Sequence, residues 1–167
     1  FEYEGLTHKA GQSIGPNQFG TAENAIVDFK YSSSQKLSWW FDHHESAFLS
    51  PQDESHFRHD HSGRKFHDPS FKPCTKFIAH ITKSVFGMDF PDLEELIYWA
   101  DIIDGAQFVS AQSAVELKEP AMRLMLVIEA SHDPDLIHRI IGYLQSKTLA
   151  QVMEQPDVKC TFDLLTN

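Results

Sequence analysis

Four residues in the first third of the chain have the chemistry to hold a divalent cation. Asp28 closes the apolar run Ala25-Ile26-Val27, and Asp42 closes the aromatic-rich run from Leu37 to Phe41, with His43 and His44 directly after it. A carboxylate that ends a buried strand sits at the carboxyl edge of an α/β sheet, where open sheets of this kind bind their ligands. Two carboxylates side by side repel, and a cation between them removes that cost. Imidazole nitrogens added to carboxylate oxygens in an open arrangement suit Mn²⁺, with Mg²⁺, Co²⁺ or Zn²⁺ as alternatives. Taken singly, each residue has a plain reading: an Asp at a strand end is more often a turn or cap residue, and a His-His pair is usually surface. The combination of strand–Asp, a step of 14 residues from 28 to 42, and strand–Asp-His-His is far more specific.

Asp42-His43-His44 resembles the signature of the DHH phosphoesterase superfamily. That superfamily contains RecJ-like single-strand exonucleases, oligoribonucleases, cyclic-dinucleotide phosphodiesterases, exopolyphosphatases and family II inorganic pyrophosphatases. Its second motif is an Asp closing a strand shortly before the signature, and Ile26-Val27-Asp28-Phe29 is similar to it. Its fourth is an Asp ending a later helix, followed by a small residue and then a Phe. Asp104-Gly105-Ala106-Gln107-Phe108 is similar to that, 62 residues after Asp42. The run from Phe66 to Ile81, with Asp68-Pro69-Ser70 ahead of Cys74, resembles the segment joining the third and fourth motifs, so the likeness covers roughly residues 22 to 110. The family's first motif, a His and Asp source on an N-terminal strand, is not found: Thr7-His8-Lys9 is too close to Asp28 and lacks the acidic residues. Nor is the family's C-terminal substrate domain seen before Asn167. The expectation is therefore the middle of a larger protein.

What the resemblance implies is a divalent-metal-dependent phosphoesterase acting on phosphodiester or phosphoanhydride bonds of a nucleotide, short oligonucleotide or polyphosphate. Two ions, Mn²⁺ or else Mg²⁺ or Co²⁺, are implied per site. Asp28 would bridge them, and His43 and Asp104 would hold the second. His44 would face the substrate phosphate, and Asp42 would orient a neighbouring imidazole by accepting its ring proton. Asp101, one helical turn before Asp104, competes with it; the Gly-Ala-Gln-Phe that follows favours Asp104. The alternative from another functional class is a catalytically inactive domain of the same fold that binds a nucleotide or a partner protein.

The elements that must position these residues follow from periodicity and punctuation. A possible short strand opens the chain, and a loop follows to Phe19. Strands are expected at 25–27, 37–41 and 65–67. The polar, His-rich stretch from Leu49 to Arg64 reads as a mobile surface loop, in which His56, His59 and His61, with His67 beyond, are solvated rather than zinc-binding. Trp39 and Trp40 should pack on opposite faces of their strand. Helices are expected from about Lys72, with Cys74 as a small core residue; from near Pro91; from Pro120; and from Asp133-Pro134. Thr148 and Gln151 resemble a capping box for a short last helix. Strands that come early and alternate with helices give an α/β class with a parallel sheet. The expected division is a core of residues 1–110 and a helical segment over 111–167.

Composition sets the outer bounds. Charged residues are 23% and the formal net charge is −10. That argues against broad capture of a nucleic-acid backbone, which needs clustered Lys and Arg, but not against a small anionic substrate held through metal ions. A small phosphorylated molecule or short oligonucleotide is the expected partner, with a second copy of the chain admitted as a homodimer. No apolar run approaches the ~20 residues of a membrane-spanning helix. Two cysteines, Cys74 and Cys160, make no disulfide framework, so a reducing cytoplasm is the expected compartment.

Overall fold

The computed structural model describes residues 2–6, 12 and 14–166. Thr7-His8-Lys9 lies outside them, as does part of the expected opening strand; residues 2–6 form no strand. Among the described residues the chain is α/β, with a small three-stranded parallel sheet and eight α-helices. It divides into two units, one of residues 6–90 and one of residues 1–5 with 91–167.

The unit of residues 6–90 holds the sheet. Its strands β1 (Asn24–Val27), β2 (Leu37–Asp42) and β3 (Lys65–His67) lie in the order β1-β2-β3. All neighbours are parallel, with Val27 opposite Phe41 and Asp42 opposite His67. The β1–β2 crossover carries no helix; Phe29 and Tyr31 on it are buried against Trp40 instead. Period-2 alternation then sorts β2 as its sequence implied. Trp40 is fully buried with Phe29 and Tyr31, against Phe48 and Phe57. Trp39 and Phe41 face the other way, onto Cys74, Phe77, Ile78 and Ile81. A buried tryptophan of this kind typically costs about 3–5 kcal/mol to truncate to alanine.

The expected loop over 49–64 is corrected by the structure. Pro51–Arg58 is a helix, α1, started by Ser50, whose side chain accepts the Asp53 backbone N–H, and by Pro51 at its first position. A Glu54–Arg58 ion pair spans one turn of its exposed side. Its residues are nearly all polar: Phe57 packs into the aromatic cluster and His56 bonds the Tyr31 hydroxyl there, and a helix with one apolar contact leaves no apolar stripe to read. Helix α2 (Cys74–Ser84) covers the opposite face of the sheet through Cys74 and Phe77.

The other unit is helical: α3 (Glu94–Asp104), α4 (Ala111–Val115), α5 (Pro120–Ala130), α6 (Pro134–Leu144), α7 (Leu149–Met153) and α8 (Pro156–Thr166). Its core gathers Leu124, Val127, Leu136, Ile140, Leu149, Val152 and Val158. The Thr148–Gln151 capping box starts α7 as expected, but α7 is not the last helix, since α8 follows. Beyond residues 1–5 the unit runs from Pro91, so α3 and Asp104 belong with these helices, and the division expected near residue 110 falls inside this unit. No helix among the described residues is long and apolar enough to cross a membrane.

Candidate metal centre

The carboxyl edge of the sheet is built by two strands that end side by side. Asp28 follows β1 directly; its N–H donates to the Phe41 carbonyl at 2.9 Å, which extends the ladder one residue beyond the strand. There the chain turns through a left-handed backbone, φ 55° at Asp28. Asp and Asn tolerate that region better than other side-chain-bearing residues, but it still carries a cost. The Asp28 carboxylate is half-exposed.

Asp42 is the opposite case, with no exposed surface at all. Its Oδ1 accepts the His43 N–H at 2.9 Å, the His44 N–H at 3.3 Å and the His44 Nδ1 at 2.6 Å. Its Oδ2 is buried with no hydrogen-bond partner among the described residues, and an orphaned buried oxygen is costly enough to require a reason. His43 Nδ1 lies 3.0 Å from the Phe71 carbonyl. A carbonyl only accepts, so Nδ1 carries the hydrogen and Nε2 of the neutral ring is an acceptor. That Nε2 is 3.1 Å from Asp28 Oδ1: in the imidazolium it donates to the carboxylate, and in the neutral ring both atoms accept and repel. A shared cation removes the repulsion, and two ligand atoms each about 2.1 Å from one ion, at right angles, lie about 3 Å apart.

His44 completes the group. Its Nδ1 is 3.8 Å from Asp28 Oδ1, and its side chain is partly exposed. Asp28, His43 and His44 can each offer a ligand atom within 4.8 Å of the others, the one such group among the described residues. The donor set of one carboxylate and two imidazoles, one ring held by Asp42 and the other by a carbonyl, fits a divalent first-row metal.

Of the remaining sequence candidates, Asp101 and Asp104 belong to the helical unit and the other histidines to the sheet unit. Asp104 is the last residue of α3 and is exposed. Asp101 accepts from the Gln107 side chain at 3.4 Å. The turn after α3 needs Gly105, where a Cβ would meet the Asp101 carbonyl at 2.6 Å, and it places Ala106 at φ 50°. His56 Nδ1 pairs with the Tyr31 hydroxyl at 2.8 Å, and His59 Nδ1 with the Ser55 carbonyl on the same helix. His67 has a different place: at the end of β3, its Nε2 lies 2.8 Å from the His44 carbonyl. Sequence reasoning grouped it with the loop histidines. The signal that sets it apart is its position closing a third strand candidate, as Asp28 and Asp42 close theirs.

A second polar network lies on the Trp40 side of the sheet. Lys65 pairs with Asp60 at 2.8 Å and lies over the Tyr31 ring. Burial works to raise the Asp60 pKa, but hydrogen bonds from Lys65 and Ser62 outweigh it and bring the carboxyl down to about 2. Burial pushes the Tyr31 hydroxyl up.

Comparison with protein-family models, with curated proteins and with solved structures gave no match.

Proposed function

We propose that this chain is a divalent-metal-dependent phosphoesterase of the DHH type, hydrolysing phosphodiester or phosphoanhydride bonds in a nucleotide, short oligonucleotide or polyphosphate. The observation that carries the reading is the convergence of Asp28, His43 and His44 around the fully buried Asp42. Asp28 and His43 would hold the ion, with His44 beside them. Asp28 and His43 would serve one Mn²⁺, Mg²⁺ or Co²⁺, His44 being kept for proton transfer; the resemblance adds Asp104 and a second ion. A divalent ion bound there would polarise a phosphoryl oxygen and lower the pKa of a water molecule.

The chain's own residues do the rest. Asp42 accepts the His44 Nδ1 proton and so places the basic nitrogen of the neutral ring at Nε2. His44 can then take a proton from an attacking water or, once protonated, deliver one to a leaving oxygen. His43 is fixed in the same tautomer by the Phe71 carbonyl, which aims its Nε2 at Asp28. The net charge of −10 favours a small substrate over a long strand. Two cysteines in a chain of this size make no disulfide framework, which suits a reducing cytoplasm.

The test is hydrolysis of bis(p-nitrophenyl) phosphate, a dinucleotide and tripolyphosphate with Mn²⁺, beside an EDTA control. Turnover that needs Mn²⁺ and is lost in Asp28→Ala is expected. Mn²⁺ binding without turnover on any of the three would replace the enzyme by a binding domain, and metal-independent turnover would defeat the assignment. Asp104→Asn, with Asp101→Asn as its control, measures whether the helical unit's acid contributes.

A further inference from the structure

We infer that His67 is a positioning residue for His44, acting together with Trp40; the inference rests on the proposed role of His44 in the metal centre. The His67 Nε2 lies 2.8 Å from the His44 carbonyl oxygen. Because that oxygen only accepts, Nε2 carries the hydrogen, and His67 is the donor. The same carbonyl also accepts the Ala47 N–H at 3.2 Å. Ala47 is a near neighbour in sequence, so the His67 bond is the tertiary one, brought in by β3.

Trp40 ties this bond to Asp28. The His67 ring is stacked on Trp40, with centroids 5.7 Å apart and planes 17° from parallel. Phe48 and Phe57 meet His67 edge-on. Trp40 donates its Nε1–H to the Phe29 carbonyl at 2.8 Å, in a buried bond. Phe29 is the residue after Asp28, and its carbonyl sits just past the left-handed turn that aims the Asp28 carboxylate. Two stacked rings thus each donate one N–H to a backbone carbonyl. One holds the segment carrying Asp28 and the other the segment carrying His43 and His44. The spacing of 3.1 Å between Asp28 and His43 is set between these two segments. The register that pairs Asp42 with His67 brings the donor to this place.

Two substitutions separate the donated proton from the ring. His67→Phe keeps an aromatic ring on Trp40 and removes the donor. His67→Gln removes the ring and keeps an N–H at similar reach. Both are made in the full chain and checked by thermal unfolding. The first readout is hydrogen exchange of the His43 and His44 amides in metal-free protein. The second is Co²⁺ affinity, followed by the d–d absorption of the bound ion. His67→Phe is expected to speed exchange at His43 and His44 roughly fivefold, leaving the β1–β2 ladder unchanged, and to weaken Co²⁺ binding by about 10-fold or more. His67→Gln should recover most of both. His67→Phe matching the wild type in both readouts overturns the inference, as does a His67→Gln variant as impaired as His67→Phe. If the wild type takes no Co²⁺ while the exchange difference stands, the positioning role holds and the metal reading falls.

Discussion

Replacing Asp28 separates the cost of its backbone from the use of its carboxylate. Consider the series Asp28→Asn, Asp28→Ala and Asp28→Gly. At φ 55° an alanine bears a left-handed strain of roughly 1–2 kcal/mol that glycine avoids. Glycine in turn loses about 0.5–1 kcal/mol more chain entropy on folding. The glycine variant should therefore be more stable than the alanine variant by about 0.5–1 kcal/mol, with asparagine close to glycine because it tolerates the same region. All three lose the carboxylate that faces His43 Nε2 at 3.1 Å. Wild-type protein with Mn²⁺ at a hundredfold its Kd should gain roughly 2.7 kcal/mol from linkage, and none of the three should gain a comparable amount at that concentration. The assay is urea unfolding with EDTA and then with Mn²⁺, all four proteins side by side. An alanine variant as stable as the glycine one would refute the backbone argument. An Asp28→Ala protein stabilised by Mn²⁺ as much as the wild type would refute the ligand assignment.

Three further outcomes follow from local geometry. Asp60 has its pKa lowered to about 2 by Lys65 and Ser62. A pKa lower in the folded than in the unfolded chain stabilises above the unfolded value, near 4, and that stability fades as pH falls toward 2. Asp60→Asn should thus cost at most about 2 kcal/mol near neutral pH, with the gap to wild type closing by about pH 2; a gap constant across that range in urea titrations would contradict it. Ala106→Gly, at φ 50° after α3, should raise stability by about 0.5–1 kcal/mol in the same assay, and a loss would show that this turn is not under strain. Ser50→Ala removes the cap of α1 and should lower stability by about 1 kcal/mol, with amide exchange quickening first at Asp53 and Glu54; unchanged exchange there would deny the cap its role.

The elements were legible where one residue type repeats at one period. The three strand candidates lie where the sheet strands are, because apolar and aromatic side chains at alternate positions have few other places to go. The Thr148–Gln151 box marks its helix start through local backbone chemistry, which needs no tertiary context. Helix α1 was hidden for the converse reason. Its sequence is polar almost throughout, and its fixed points are a cap at Ser50, Phe57 in the aromatic cluster and His56 on the Tyr31 hydroxyl. The role of Asp42 was only half legible. Its place at a strand end could be read, but not that its carboxylate turns fully inward and holds His44.

By itself, then, the sequence determined that acids and imidazoles stand at the ends of apolar runs. Strand period and strand termination are local properties, so Asp28, Asp42, His43 and His44 could be placed at one sheet edge from residue types alone. Tertiary structure decided which atom each of them turns toward the others. The His43 tautomer depends on a carbonyl 28 residues away, and the His44 backbone on a histidine 23 residues away. Those partners are brought in by strand register and by the packing of Trp40, and a bond between residues that far apart leaves no periodic trace in the chain.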